Sequence, residues 1–136
     1  MMRMKNDKEL FGALTEATQG LLYMSESDYP LEAIRWDGSE QLTPEYLRNV
    51  VGADSSAKVE ESNLDEFFRV PAAEQEWKGE EQLAEARKYR RLRQLLEENL
   101  TGIRVCRVGE INIGVYVVGM SAEGNWLGIS TRVVET

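Results

Sequence analysis

Polar and apolar positions change rhythm along the chain. Leu10, Leu14, Ala17 and Leu21 recur at helical spacing behind Asn6 and Glu9. That pair, three residues apart, forms a capping box, so an amphipathic helix is predicted from about residue 7, with Gly20 near its exit. MSESDYP (24–30) is polar and ends in proline, which predicts a loop. LEAIRW (31–36) reads as a strand stopped by Asp37-Gly38. Thr43-Pro44 predicts a helix start, with threonine as cap and proline in the first turn, and Gly52 ends that helix near Val51. A short strand at 57–62 and a short helix from Asn63 to Arg69, with Phe67 and Phe68, follow.

Beyond the polar connection AAEQEWKG (72–79), a long helix is predicted from about Glu80 to Leu100, ended by Gly102. Its stripe is Leu83, Ala86, Tyr89, Leu92, Leu96 and Leu100. From 103 the period becomes two: Ile111, Ile113, Val115 and Val117 alternate, SAEGN (121–125) reads as a hairpin turn, and WLGISTRVV returns as the final strand. Glu135 and Thr136 are left as a short free tail. Strands do not alternate regularly with helices, so the fold class is α+β, with helices on a largely antiparallel sheet closing in a β-meander, as a single domain over 1–136.

Composition narrows the function. Twenty-four acidic residues against 16 basic give a net charge of −8, which disfavours direct binding to nucleic acid; a basic protein surface would be attracted, but acidity of this size mostly serves solubility, so the charge excludes partners without choosing one. No apolar run is long enough to span a bilayer, and the amino terminus lacks the apolar stretch of a secretory signal. Cys106, the only cysteine, lies in IRVCRV and reads as a buried thiol. A soluble protein of a reducing cytoplasm is the expectation. Histidine is absent, which removes the usual general base and the commonest metal ligand, and one cysteine makes no zinc site. A carboxylate-based enzyme would need converging acids. Glu110 and Glu123 offer no sequence sign of convergence.

Other features have plain readings. RKYRRLR (87–93) is flanked by Glu80, Glu81, Glu85, Glu97 and Glu98, and reads as an ion-paired helix face and not as a nucleic-acid patch. The glycines of GEINIGVYVVG (109–119) precede no helix, so they cradle no phosphate and serve turns, bulges or close packing. Trp36 and Trp126 occupy strand positions and read as core. Trp77 sits between Glu76 and Lys78 in a polar loop, where the ring either folds back over the core or stays exposed as a recurrent kind of interface anchor. In MSESDYP, a loop carboxylate can imitate a phosphate and be gripped by arginines.

LLYMSESDYPLEAIRWDGS (21–39), RVGEINIGVYVVG (107–119) and GNWLGISTRVVET (124–136) together resemble the nuclease A inhibitor family of cyanobacteria, over nearly the whole chain and in the same order. The resemblance implies a three-layer α/β/α sandwich that binds a sugar-non-specific, magnesium-dependent endonuclease one to one. Three positions carry over. Glu26 matches the family carboxylate that meets nuclease arginines, Trp77 the loop aromatic at the interface, and Thr136 the terminal threonine that reaches the nuclease's catalytic magnesium. With the charge and the apolar pattern, the expectation is no cofactor of the chain's own, no direct nucleic-acid partner, no membrane partner, and a monomeric free protein. The sequence departs from the family form around the ring in AAEQEWKGEE and in the arginine-rich helix after it, which bears on which nuclease is the partner. The competing reading is an acidic interaction or regulatory module on the same scaffold without a nuclease target.

Overall fold

The computed structural model describes residues 4–72 and 79–136. Helix α1 (Asp7–Thr18) opens with the expected capping box: Asn6 Oδ1 accepts the Glu9 amide at 2.8 Å, and the Glu9 carboxylate accepts the Asn6 amide. A two-residue hairpin follows, β1 (Leu22–Tyr23) paired with β2 (Tyr29–Pro30). The segment 24–28 is therefore a hairpin loop, and the loop reading of 24–30 is too long at its end. Strand β3 (Glu32–Trp36) leads to α2 (Pro44–Val50), capped by Thr43, whose hydroxyl accepts the Tyr46 amide. Then come β4 (Val59–Ser62), α3 (Leu64–Phe68) capped by Asn63, and α4 (Glu80–Asn99). The meander β5 (Thr101–Val108), β6 (Asn112–Met120) and β7 (Trp126–Val134) closes the chain.

The main sheet has five antiparallel strands in the order β3-β7-β6-β5-β4. Two apolar clusters lie on its opposite faces. On one, Leu10 and Leu14 of α1, Phe67 and Phe68 of α3, and Tyr89, Leu92 and Leu96 of α4 pack on Val105, Val115, Val117, Ile129 and Val133. On the other, Leu42 and Leu47 of the α2 region pack on Cys106, Val108, Val118 and Trp126. The architecture is the expected α+β arrangement, layered as α/β/α. Both faces being covered explains why period two is imperfect in β6, where Val117 and its neighbour Val118 are both buried.

Two local readings change. Gly102 does not end α4, which stops at Asn99. It lies inside β5 at a φ of 58°, where the β5–β6 register shifts between Thr101 and Arg104, so its left-handed backbone makes a bulge. Ile111 is not part of the alternating strand but sits on the β5–β6 turn, 56% exposed. Trp126 is buried as expected, with its indole N–H on the Glu40 carbonyl, whereas Trp36 is only half-buried and tilts against Tyr116.

The arginine-rich stretch does more than lace one helix. Arg93 pairs with Glu97 one turn on, and also with Asp65 of α3 at 2.6 Å, while Arg90 donates to the Ala72 carbonyl. With Tyr89 and Leu92 buried beneath, these bonds fasten α3 and the chain after it onto α4.

Candidate functional site

The β1–β2 hairpin is held at its root by two phenols. Tyr89 donates to the Leu22 carbonyl at 2.8 Å, and Tyr23 donates to the Phe67 carbonyl at 2.7 Å while its ring stacks on Phe67 at 4.5 Å. Burial pushes the Tyr23 phenol up to about 12, against the opposing pull of the Arg107 guanidinium. These anchors fix where loop 24–28 emerges.

β3 accompanies β7 only from Trp126 to Ser130. Past that point the hairpin takes over the flank of β7. The Thr131 hydroxyl donates to the Pro30 carbonyl at 3.0 Å, the Val134 amide donates to Ser25 Oγ at 3.0 Å, and the Glu26 amide approaches the Val134 carbonyl at 3.4 Å. Ser25 Oγ in turn donates to the Ser27 carbonyl, closing the loop on itself.

At the end of this zipper two of the three expected site residues meet. Glu26 accepts the Thr136 amide on one carboxylate oxygen at 2.6 Å and the Thr136 hydroxyl on the other at 2.7 Å. The tail was expected to be free; it is clasped, because an exposed carboxylate lies within reach of two donors on the last residue. The Thr136 hydroxyl, then its amide, hold the Glu26 carboxyl below its ordinary value. Glu135 is tied as well: its amide donates to the Ile111 carbonyl at 3.0 Å, and its carboxylate pairs with Arg107 of β5. Trp77, the third expected residue, lies outside the described residues.

Sequence reasoning missed the neighbours. Met24, 76% exposed, stands beside the clasp in sequence, and Ile111, bonded through its carbonyl to Glu135, brings a second exposed apolar side chain to the same end. Ser25 and Arg107 were missed too, because a serine in a turn and an arginine in a strand carry no distinctive signal.

The arrangement can present oxygen to a cationic partner. A carboxylate has about four lone-pair directions, so with two taken by Thr136 the Glu26 group still has acceptor capacity for guanidinium donors. The Thr136 hydroxyl gives its proton to Glu26, which leaves its oxygen lone pairs available to a further donor or a cation. Among the described residues, no group of three or more acids and cysteines is placed to hold a metal ion.

A family model described as nuclease A inhibitor-like protein matches residues 8–136. The chain belongs to the nuclease A inhibitor family. The match takes in both strands of the zipper, loop 24–28 and the tail 134–136. A family of inhibitors is consistent with a protein that is not itself an enzyme, and its name implies a nuclease as the partner class. No curated protein matches the chain. The other cluster of acids in this family member, Asp7 and Glu123 at the opposite end of β7, is occupied with folding: Glu123 accepts the Asp7 amide at 2.9 Å, and Asp7 accepts the Asn125 side-chain amide at 2.7 Å. Glu110 is not part of that cluster, so the acid pair weighed from the sequence gains no support.

Proposed function

We propose that this chain blocks the active site of a sugar-non-specific, magnesium-dependent endonuclease, binding it one to one as a monomer. Glu26 stands in for a substrate phosphate before a cluster of nuclease arginines. Trp77 packs at the interface, and the oxygens of Thr136 are directed at the catalytic magnesium. The observation that carries the reading is the juxtaposition of Glu26 and Thr136 at one exposed end of a nuclease inhibitor family member.

The chemistry supports the assignment. Magnesium accepts oxygen donors and in nucleases keeps positions for substrate oxygens, and Thr136 offers its hydroxyl oxygen. With its proton engaged by Glu26, the hydroxyl is oriented as a carboxylate orients a ligating group from behind. No phosphodiester is offered, so the blockade is not cleaved. The chain needs no cofactor of its own, and its charge of −8 accelerates encounter with a basic phosphate-binding cleft.

The test is degradation of a plasmid by a purified nuclease of this class, with increasing inhibitor and with magnesium varied. Stoichiometric inhibition, weakened by one residue appended after Thr136, is the expected result. Full inhibition by the extended protein would remove Thr136 from the mechanism. Absence of inhibition, together with specific capture of some other protein, would favour the regulatory module.

A further inference from the structure

The tail's direction depends on more than its contact with Glu26. The β6–β7 ladder ends at Asn112↔Val134, so Glu135 lies beyond the sheet and the ladder does not fix it. One backbone bond, to the Ile111 carbonyl, ties it to the β5–β6 turn. A single backbone hydrogen bond beyond the ladder does not by itself set the direction of the segment that follows. The second tie is the ion pair with Arg107, on β5, with β6 lying between the two strands.

Arg107 is well placed for this work. Its side chain is 27% exposed, against 53% for Glu135, and it lines a cleft of about 220 Å³ with Tyr23, Phe67, Val133 and Glu135. Met24 and Ser25, the residues just before Glu26, line the same cleft. A guanidinium held among ring and strand surfaces loses less freedom on pairing than a fully solvated one, and its planar fork fixes the direction of the carboxylate it meets.

We propose that Arg107 is a positioning residue for the tail: by holding Glu135 across β6, it sets the direction in which Thr136 meets Glu26 and faces the partner. The inference rests on the reading of the clasp as the nuclease-binding end. Arg107 acts through Glu135. It preorganises the tail, so that the complex need not order a free chain end.

The experiment is a charge swap read in two ways. Arg107→Glu and Glu135→Arg alone are expected to weaken inhibition of a purified magnesium-dependent nuclease by about tenfold each. The double swap is expected to recover most of that loss at unchanged net charge. In the free protein, the Thr136 amide resonance should shift in each single variant and return in the swap. Glu135→Gln, a neutral change at an exposed position, gives the same readouts should a charge reversal unfold the protein. Inhibition and the Thr136 resonance unmoved by the single changes, or a swap that recovers neither, would overturn the proposal. A wild-type protein that inhibits no such nuclease would sink the functional reading, while the resonance of Thr136 would still decide whether Arg107 directs the tail.

Discussion

Two carboxylates fasten the amino-terminal part of the chain to the final hairpin, at opposite ends of β7. Before its start, Asp7 is buried, only 1% exposed, and accepts the Asn125 amide, while Glu123 accepts the Asp7 backbone N–H. Asn125 then reaches on to accept the Gly38 amide, so the cluster joins α1, the β6–β7 turn and the end of β3. After the end of β7, Glu26 is exposed and takes both donors of Thr136. The chemistry is similar, but the surroundings divide the roles. A carboxylate enclosed by structure is committed to the fold; one in solvent with acceptor sites to spare remains available to a partner.

The buried site also leaves one acceptor unsatisfied. Asp7 Oδ1 is buried without a hydrogen-bond partner among the described residues. Burial pushes the Asp7 carboxyl up, yet the polar groups of Ser121, Asn125 and Glu123 and the Arg35 guanidinium outweigh it and leave it below its ordinary value.

The sharpest way to break the comparison is to neutralise the exposed acid. Glu26→Gln should weaken inhibition at least about thirtyfold, because nuclease arginines would be left buried and unpaired in the complex. Its melting temperature should match wild type within the scatter of the measurement. A large loss of stability with intact inhibition would reverse the roles assigned to the two carboxylates.

The buried acid should behave the opposite way. Asp7→Ala strands the Asn125 side-chain amide and leaves the Asp7 pocket unfilled, so denaturant unfolding should show a loss of about 1–3 kcal/mol with inhibition at saturating protein unchanged. Asp7→Asn should cost less, since an amide can meet the Glu123 carboxylate without like-charge repulsion. An Asn variant as unstable as the Ala variant would show that the negative charge itself, and not the shape, holds this corner.

A smaller effect is expected from the apolar flank of the exposed site. Met24→Ser and Ile111→Ser remove side chains that the free fold does not bury, so stability should hold or rise slightly, while inhibition weakens by roughly threefold to tenfold each. Isothermal titration against the nuclease separates these outcomes. Affinity equal to wild type for both variants would take these two side chains out of the interface.

The large elements were legible in the sequence because local rules and tertiary packing agree there. Asn6, Thr43 and Asn63 each precede a helix and each caps it, and the stripe from Ala86 to Leu100 is the stripe that is buried. What was not legible depends on contacts between distant residues. Gly102 looks like a helix terminator until the ladder shows that β5 pairs through it with a shifted register. Asp65 bonds to Arg93 across 28 positions, and Glu26 to Thr136 across 110, separations at which no spacing rule operates. The family resemblance named Glu26 and Thr136 separately, whereas their pairing is a property of the folded chain. Ile111 illustrates the remaining gap: by its spacing it reads as one of the alternating strand residues, and only the fold leaves it outside.

The subtlest difference between the two ends lies in how each responds to acid. The Glu26 carboxyl is held below its ordinary value of 4.5 by the Thr136 hydroxyl and then the Thr136 amide. A depressed folded value means that the clasp contributes fully above the unfolded carboxylate value and is lost as the pH falls through the folded one. At neutral pH the clasp is therefore intact, and the tail should be released only below the ordinary carboxylate range. Asp7 is depressed too, so its contribution is lost in the same direction, but there the loss loosens α1 from the β6–β7 turn. The two events have different reporters. The Thr136 amide resonance should titrate with a midpoint below 4.5 while dispersion elsewhere stays native, and Glu26→Gln should abolish that titration without altering the remaining spectrum. The Asn125 side-chain amide reports the other end. If both resonances moved together with global unfolding, the ends would be one cooperative unit, and the division between a folding carboxylate and a binding carboxylate would fail.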